Sequence, residues 1–176
     1  MAFFGDPESR GVKEDATACV NMAIAMQRRM RELQAEWCDK GLQKPFQLRI
    51  GINTGYSTVG NFGSEDRMDY TIIGSEVNLA SRLQSHAEHG GILLSHETFS
   101  LVKDYVFAEV RKPIHAKGIA KPVRNYRVIA RVDDLVEQGR AIHEEQEGLR
   151  VLVDLQKLDK IKAVKALEGI LSRLKT

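Results

Sequence analysis

Asn78 and Arg82, four residues apart in Val77-Asn-Leu-Ala-Ser-Arg-Leu83, carry the most informative chemistry in this 176-residue chain. Val77, Ala80, Leu83 and Ala87 recur at helical spacing, which predicts a helix opening at Gly74-Ser75 and running to about His86. At about 100° per residue, Asn78 and Arg82 then lie one turn apart, roughly opposite that apolar arc. A guanidinium neutralises phosphate charge and a carboxamide holds a hydroxyl or ether oxygen, so the two can grip one ligand. Both residue types are equally ordinary on a solvent-facing helix, and spacing alone leaves the two readings open. Asp66, Asp69 and Glu76 are more economically loop or helix-start residues. His86, His89 and His96 cluster without tight ligand spacing or nearby cysteine, so they read as surface histidines rather than a metal site. Cys19 and Cys38 fall on one long helix, roughly 28 Å apart at about 1.5 Å per residue, beyond disulfide reach. They read as core or half-buried thiols.

The elements that must position these groups follow from periodicity. From Glu14 to about Trp37, Ala16, Cys19/Val20, Ala23, Met26, Met30, Leu33 and Trp37 form one stripe of a long amphipathic helix, with the methionines as core filler. Phe46, Leu48, Ile50 and Ile52 alternate with polar residues and glycine as a half-buried strand. Ser57–Phe62 reads as a second strand joined to it by a tight connection, Gly63-Ser64-Glu65-Asp66 as a polar loop, and Tyr70–Ile73 as a third strand. Ile92–Leu94 is a strand, and Ser95 caps a short helix ending near Asp104. Strands at about Phe107–Ala116 and Asn125–Ala130 are joined through Lys117-Gly118 and a Pro122 turn. Asp133–Gly148 is acidic and reads as a linker or solvated helix. It precedes a strand from Leu149 and an amphipathic helix carrying Ile161, Val164, Leu167, Ile170/Leu171 and Leu174. The order α-β-β-β-α-β-α-β-β, with strands too closely spaced for a wholly parallel sheet, predicts an α+β sandwich.

Composition narrows the class. Hydrophobic residues make up 43% and charged residues 28%, as in an ordinary globular domain. No apolar run reaches the roughly 20 residues of a membrane span, and the start lacks the pattern of a secretory signal. The net charge of +2 comes from interspersed charges and carries no nucleic-acid footprint. Aromatics are 6%, and no basic, aromatic-rich strand of RNA-recognition type occurs. The expectation is a soluble cytoplasmic globular protein.

Four motifs in order, Arg49-Ile-Gly-Ile-Asn-Thr-Gly55, Val59-Gly-Asn-Phe-Gly63, Arg67-Met-Asp-Tyr-Thr-Ile-Ile-Gly74 and Val77-Asn-Leu-Ala-Ser-Arg-Leu83, resemble the class III adenylate/guanylate cyclase catalytic domain. The likeness spans Met1 to about Val132 and leans toward the bacterial adenylate cyclase type, which also carries Phe-Phe-Gly-Asp-Pro before the long helix. It implies a ferredoxin-like cyclase sandwich that forms ATP-derived cAMP and pyrophosphate at a head-to-tail dimer interface. Two Mg²⁺ or Mn²⁺ ions, held by two aspartates of one subunit, activate the ribose 3′-hydroxyl. The resemblance assigns Asn78 to the ribose and Arg82 to the charge on the pentavalent phosphate, both as catalytic residues. It assigns Thr71 to purine selection, of the adenine type, and Lys117 to the terminal phosphates.

One departure matters. The family's two metal aspartates lie in an opening strand and in a Gly-Asp hairpin just before the Phe-Phe-Gly segment, whereas this sequence begins at Met1-Ala2-Phe3-Phe4. Gly5-Asp6 is the later, non-ligating pair, and Asp6 reads as a turn residue. The purine-contacting lysine ahead of the second aspartate is also missing. The expectation is residues 1–132 as the C-terminal part of a cyclase domain, without the first strand, first helices and metal-site hairpin. Residues 133–176 form a linker plus a strand-helix extension. On this reading the chain alone is inactive and binds no metal tightly; it works as a homodimer or with a complete cyclase subunit. The alternative is a non-catalytic regulatory or complementing partner.

Overall fold

A stripe of small apolar residues builds the first helix. In the computed structural model, which describes residues 1–5, 8–64, 67–115 and 122–175, α1 spans Val12–Asp39 and buries Ala16, Val20 and Ala23. The stripe departs from expectation one turn further on. Met26 is exposed, and Gln27 is buried in its place. Gln27 Nε2 donates to the Leu48 carbonyl at 2.9 Å and the Gly91 carbonyl at 3.3 Å. Each carbonyl also accepts a backbone N–H, from Gly90 and Ile50 respectively, so the Gln27 amide bridges the two as an additional donor, which a thioether cannot do.

The next strand is shorter than alternation predicts: β1 is only Ile50–Ile52. Phe46 is instead 74% exposed, its ring edge-on to Trp37 at 5.8 Å. Strands β2 (Thr58–Ser64) and β3 (Arg67–Ile73) pair with each other in an antiparallel ribbon, Thr58 opposite Ile73 and Gly60 opposite Thr71. The expected pairing of Ser57–Phe62 with the preceding strand is therefore corrected, and Gly63-Ser64 belongs to β2 rather than to a loop. Helix α2 (Ser75–His86) lies directly against the face of β1 at Gly51.

Beyond α2 come β4 (Ile92–Ser95), α3 (His96–Val102), β5 (Val106–Ile114) and β6 (Val123–Arg131). The Ser95 cap is as expected: its Oγ accepts from Thr98 N at 3.2 Å. The main sheet runs β1-β4-β6-β5, with β1 parallel and β6 antiparallel to β4. Alternation along β4 divides the core. Ile92 and Leu94 join Ala16, Val20, Ala23, Ile52, Val102 and Val106 on the α1/α3 face. Leu93 joins Leu79, Leu83, Ala87 and Ile114 on the α2 face. This is the expected α+β sandwich with antiparallel-rich sheets, in the expected element order.

Met1–Ala130 forms one compact unit and Arg131–Thr176 a second. In the second, the stretch read as linker or solvated helix resolves into α4 (Val132–Glu137) and a strand, β7 (Ala141–Gln146). Its antiparallel partner is β8 (Leu149–Asp154). Glu147-Gly148 turns the hairpin, with Gly148 at φ +75. Charged Glu144 and Glu145 masked the strand's alternation. Helix α5 (Lys160–Leu174) follows, its first turn capped by Asp159, which accepts from Lys162 N.

Candidate functional site

Helix α2 is fixed at both its start and its middle. Gly74 precedes it at φ +151, a conformation that L side chains rarely adopt, and lies against Ser57. A Cβ on Gly51 would sit 2.2 Å from Gln84 N and 2.3 Å from the Ala80 carbonyl. Only glycine lets the β1 backbone touch the α2 backbone this closely. Leu79, Leu83 and Ala87 are buried, while Val77 and Ala80 are half-buried. The core arc is thus rotated toward Leu79, a residue the periodic reading omitted, because the sheet approaches α2 on that side.

Asn78 is exposed and Arg82 half-buried on the next turn, so the structure brings these two together as the spacing predicts. Arg82 is partnered, and its carbonyl accepts from His86 Nδ1 at 2.9 Å. Thr71 is half-buried on β3, the strand that leads through Gly74 into α2. Lys117 lies outside the described residues, as do Asp6 and Asp66. Asp69 is exposed on β3, and Glu76 sits half-buried in the first turn of α2. His86, His89 and His96 are all exposed; His96 Nδ1 is 3.0 Å from the Tyr126 hydroxyl.

A polar joint that the sequence reading did not single out holds β1 to α2. Asn53 Nδ2 donates to Glu76 Oε2 at 2.7 Å and to the Glu76 carbonyl at 3.1 Å. Glu76 also suits the positive end of the α2 dipole. Asn53 Oδ1 is buried without a hydrogen-bond partner among the described residues. Asn53 and Gly55 lie in the Arg49–Gly55 motif. A Cβ on Gly55 would meet the Glu76 side chain at 2.6 Å, a close approach that nothing in the linear motif signals.

Asn78 faces solvent beside the half-buried Arg82. Two surface cavities lie elsewhere, one of about 450 Å³ beside Gln43, Pro45 and His89. The other, of about 750 Å³, is lined in part by Glu88, Arg111 and Arg127. There Glu88 pairs with Arg111 and, at 3.3 Å, with Arg127. Among the described residues, no three His, Cys, Asp or Glu side chains converge as metal ligands. The described residues therefore offer no seat of their own for a pair of divalent cations.

Residues 1–130 match the family model for the adenylate and guanylate cyclase catalytic domain. Adenylate cyclase 1 of Rhizobium meliloti (strain 1021) is 32% identical over 132 residues, 73% of this chain. The chain spans 19% of that relative's length. Among solved structures, the adenylyl cyclase CyaB from P. aeruginosa is 55% identical with a TM-score of 0.69, over 72% of this chain and 64% of that one. The guanylyl cyclase Cya2 is 35% identical with a TM-score of 0.66, over 73% of this chain and 64% of that one.

Proposed function

Because the chain belongs to the adenylate and guanylate cyclase catalytic domain family, we propose that it supplies the asparagine and arginine half of an adenylate cyclase site completed at a dimer interface. The observation that carries this reading is the placement of Asn78 and Arg82 on successive turns of α2, Asn78 exposed and Arg82 half-buried. Such a pair has a use when a second subunit closes over it. The 55% identity to an adenylyl cyclase, against 35% to a guanylyl cyclase, supports ATP as substrate, as does threonine at position 71.

In the proposed reaction the ribose 3′-oxygen bonds to the α-phosphorus of ATP. The bond from that phosphorus to the bridging oxygen breaks, pyrophosphate leaves with the electron pair, and the 3′-hydroxyl proton passes to solvent water. Asn78 holds the ribose so that its hydroxyl stays in line with the leaving group. Arg82 faces the negative charge that builds on the phosphate oxygens and stabilises it more in the transition state than in bound ATP. Thr71 contacts the adenine edge and Lys117 the terminal phosphates. The divalent ions typical of the family, Mg²⁺ or Mn²⁺, would be held by a pair of aspartates of the other subunit, and the domain would work in the cytoplasm with its ATP.

The test is complementation. The 176-residue polypeptide with ATP and Mn²⁺ is expected to form no cAMP above background. Mixed with a complete class III adenylate cyclase whose own matching arginine is replaced by alanine, it is expected to restore cAMP formation about tenfold or more. Arg82→Ala in this chain abolishes the rescue. Absence of rescue by the unaltered chain overturns the reading; turnover by the chain alone overturns the complementing role.

A further inference from the structure

Helix α5 is amphipathic, and no residue of it is buried. Ile161, Val164, Leu167, Ile170, Leu171 and Leu174 are 41–72% exposed. At about 100° per residue these six fall on one half of the helix circumference, while Lys162, Lys165 and Arg173 fall on the other. Glu168 lies at the margin of the apolar half, and Lys160 sits at its N-terminal end. Over positions 157–175 the chain carries six lysines and arginines against two acidic residues, Asp159 and Glu168. Asp159 is occupied by the cap and by an ion pair with Lys162 at 3.5 Å.

A 15-residue helix with a central glycine, Gly169, is marginal in water unless its apolar face is covered. Charge decides what covers it. A second copy of α5 would bring two strongly basic helices together with one glutamate each to offset them. An anionic surface meets the same cations favourably and takes the apolar half at the same time. At about 1.5 Å per residue α5 is roughly 22 Å long, short of the roughly 30 Å hydrocarbon core. No helix among the described residues is long and apolar enough to cross a membrane. We infer that α5 is an interfacial anchor that lies flat on an anionic phospholipid bilayer. Its six apolar side chains enter the acyl boundary, and its lysines and arginine contact the headgroups. This inference concerns the second unit and stands whether or not the first is a cyclase partner.

Flotation of the full 176-residue chain with lipid vesicles tests it. Vesicles of about three parts phosphatidylserine to seven parts phosphatidylcholine are expected to bind the chain at least about tenfold more tightly than pure phosphatidylcholine. Binding weakens as salt rises from about 0.05 to about 0.5 M. Leu167→Glu/Leu171→Glu, at exposed positions, lowers binding to the anionic vesicles about tenfold or more. Lys162→Glu/Lys165→Glu/Arg173→Glu removes the preference for phosphatidylserine. Circular dichroism of both variants checks that the remaining fold is intact. Failure of the unaltered chain to bind anionic vesicles overturns the inference, as does equal binding to both vesicle types. A dimer in solution that dissociates on Leu167→Glu/Leu171→Glu, with no vesicle binding, identifies a second copy as the occupant and overturns it as well.

Discussion

Arg82 and Asn78 are placed by backbone geometry, whereas Cys19 is placed by desolvation. The Cys19 thiol is half-buried on the α1 face, and burial pushes its pKa from the ordinary 9.0 up to about 11, because the thiolate would lose its hydration. Cys38, on the same helix, is exposed. The thiolate is the nucleophile, so iodoacetamide near neutral pH is expected to alkylate Cys38 well before Cys19 in the folded chain, read by peptide mass spectrometry. Equal rates would contradict the burial. The same shift has a sign for stability. The fold favours the protonated thiol, so this contribution is complete below pH 9.0 and is lost as pH rises through 9.0 toward about 11. Cys19→Ser is expected to flatten that alkaline decline in urea melts.

At the scale of elements, the contact between β1 and α2 sets the orientation of Asn78 and Arg82. The two backbones meet across Gly51, and the Asn53–Glu76 hydrogen bonds hold the start of the same helix. Gly51→Ala places a methyl group against backbone atoms that no rotamer change can move, so α2 itself must shift. The expected cost is about 3 kcal/mol, seen as a lower urea midpoint at unchanged slope. Gly169→Ala in α5 has nothing within 4 Å of the added carbon and should destabilise nothing. If both alanines behave alike, close packing of α2 on β1 is not what holds the site. In a complementation assay, Gly51→Ala is also expected to reduce rescue by tilting the Asn78/Arg82 turn.

For the whole molecule, the consequence lies in the sheet order. β1, a three-residue strand, stands at one edge of the β1-β4-β6-β5 sheet. An open strand edge presents unpaired N–H and C=O groups to any chain that can align with it. The 176-residue chain is therefore expected to self-associate. Light scattering on a sizing column should give a mass near twice 19.8 kDa rather than a monomer's. Because this association runs through the first unit, Leu167→Glu/Leu171→Glu should leave it unchanged. A monomer at micromolar concentration would show the edge to be protected.

The linear sequence by itself determined the long helices and the adjacency of Asn78 and Arg82 on one of them. Helical periodicity is local, so α1, α2 and α5 were legible within a few residues, and a four-residue spacing on a helix fixes adjacency wherever the helix sits. It also carried the motif order that marks the family. Only the tertiary structure decided which strands pair, that Gln27 rather than Met26 is buried, that a strand lies within the acidic stretch at 141–146, and that Glu76 grips Asn53. Each of these depends on partners distant in sequence. Strand alternation says which residues share a face, but the neighbour across the ladder is chosen by the packing of the whole sheet. The polar joint is chosen in the same way, by whichever donor reaches a carboxylate once β1 and α2 have closed across Gly51.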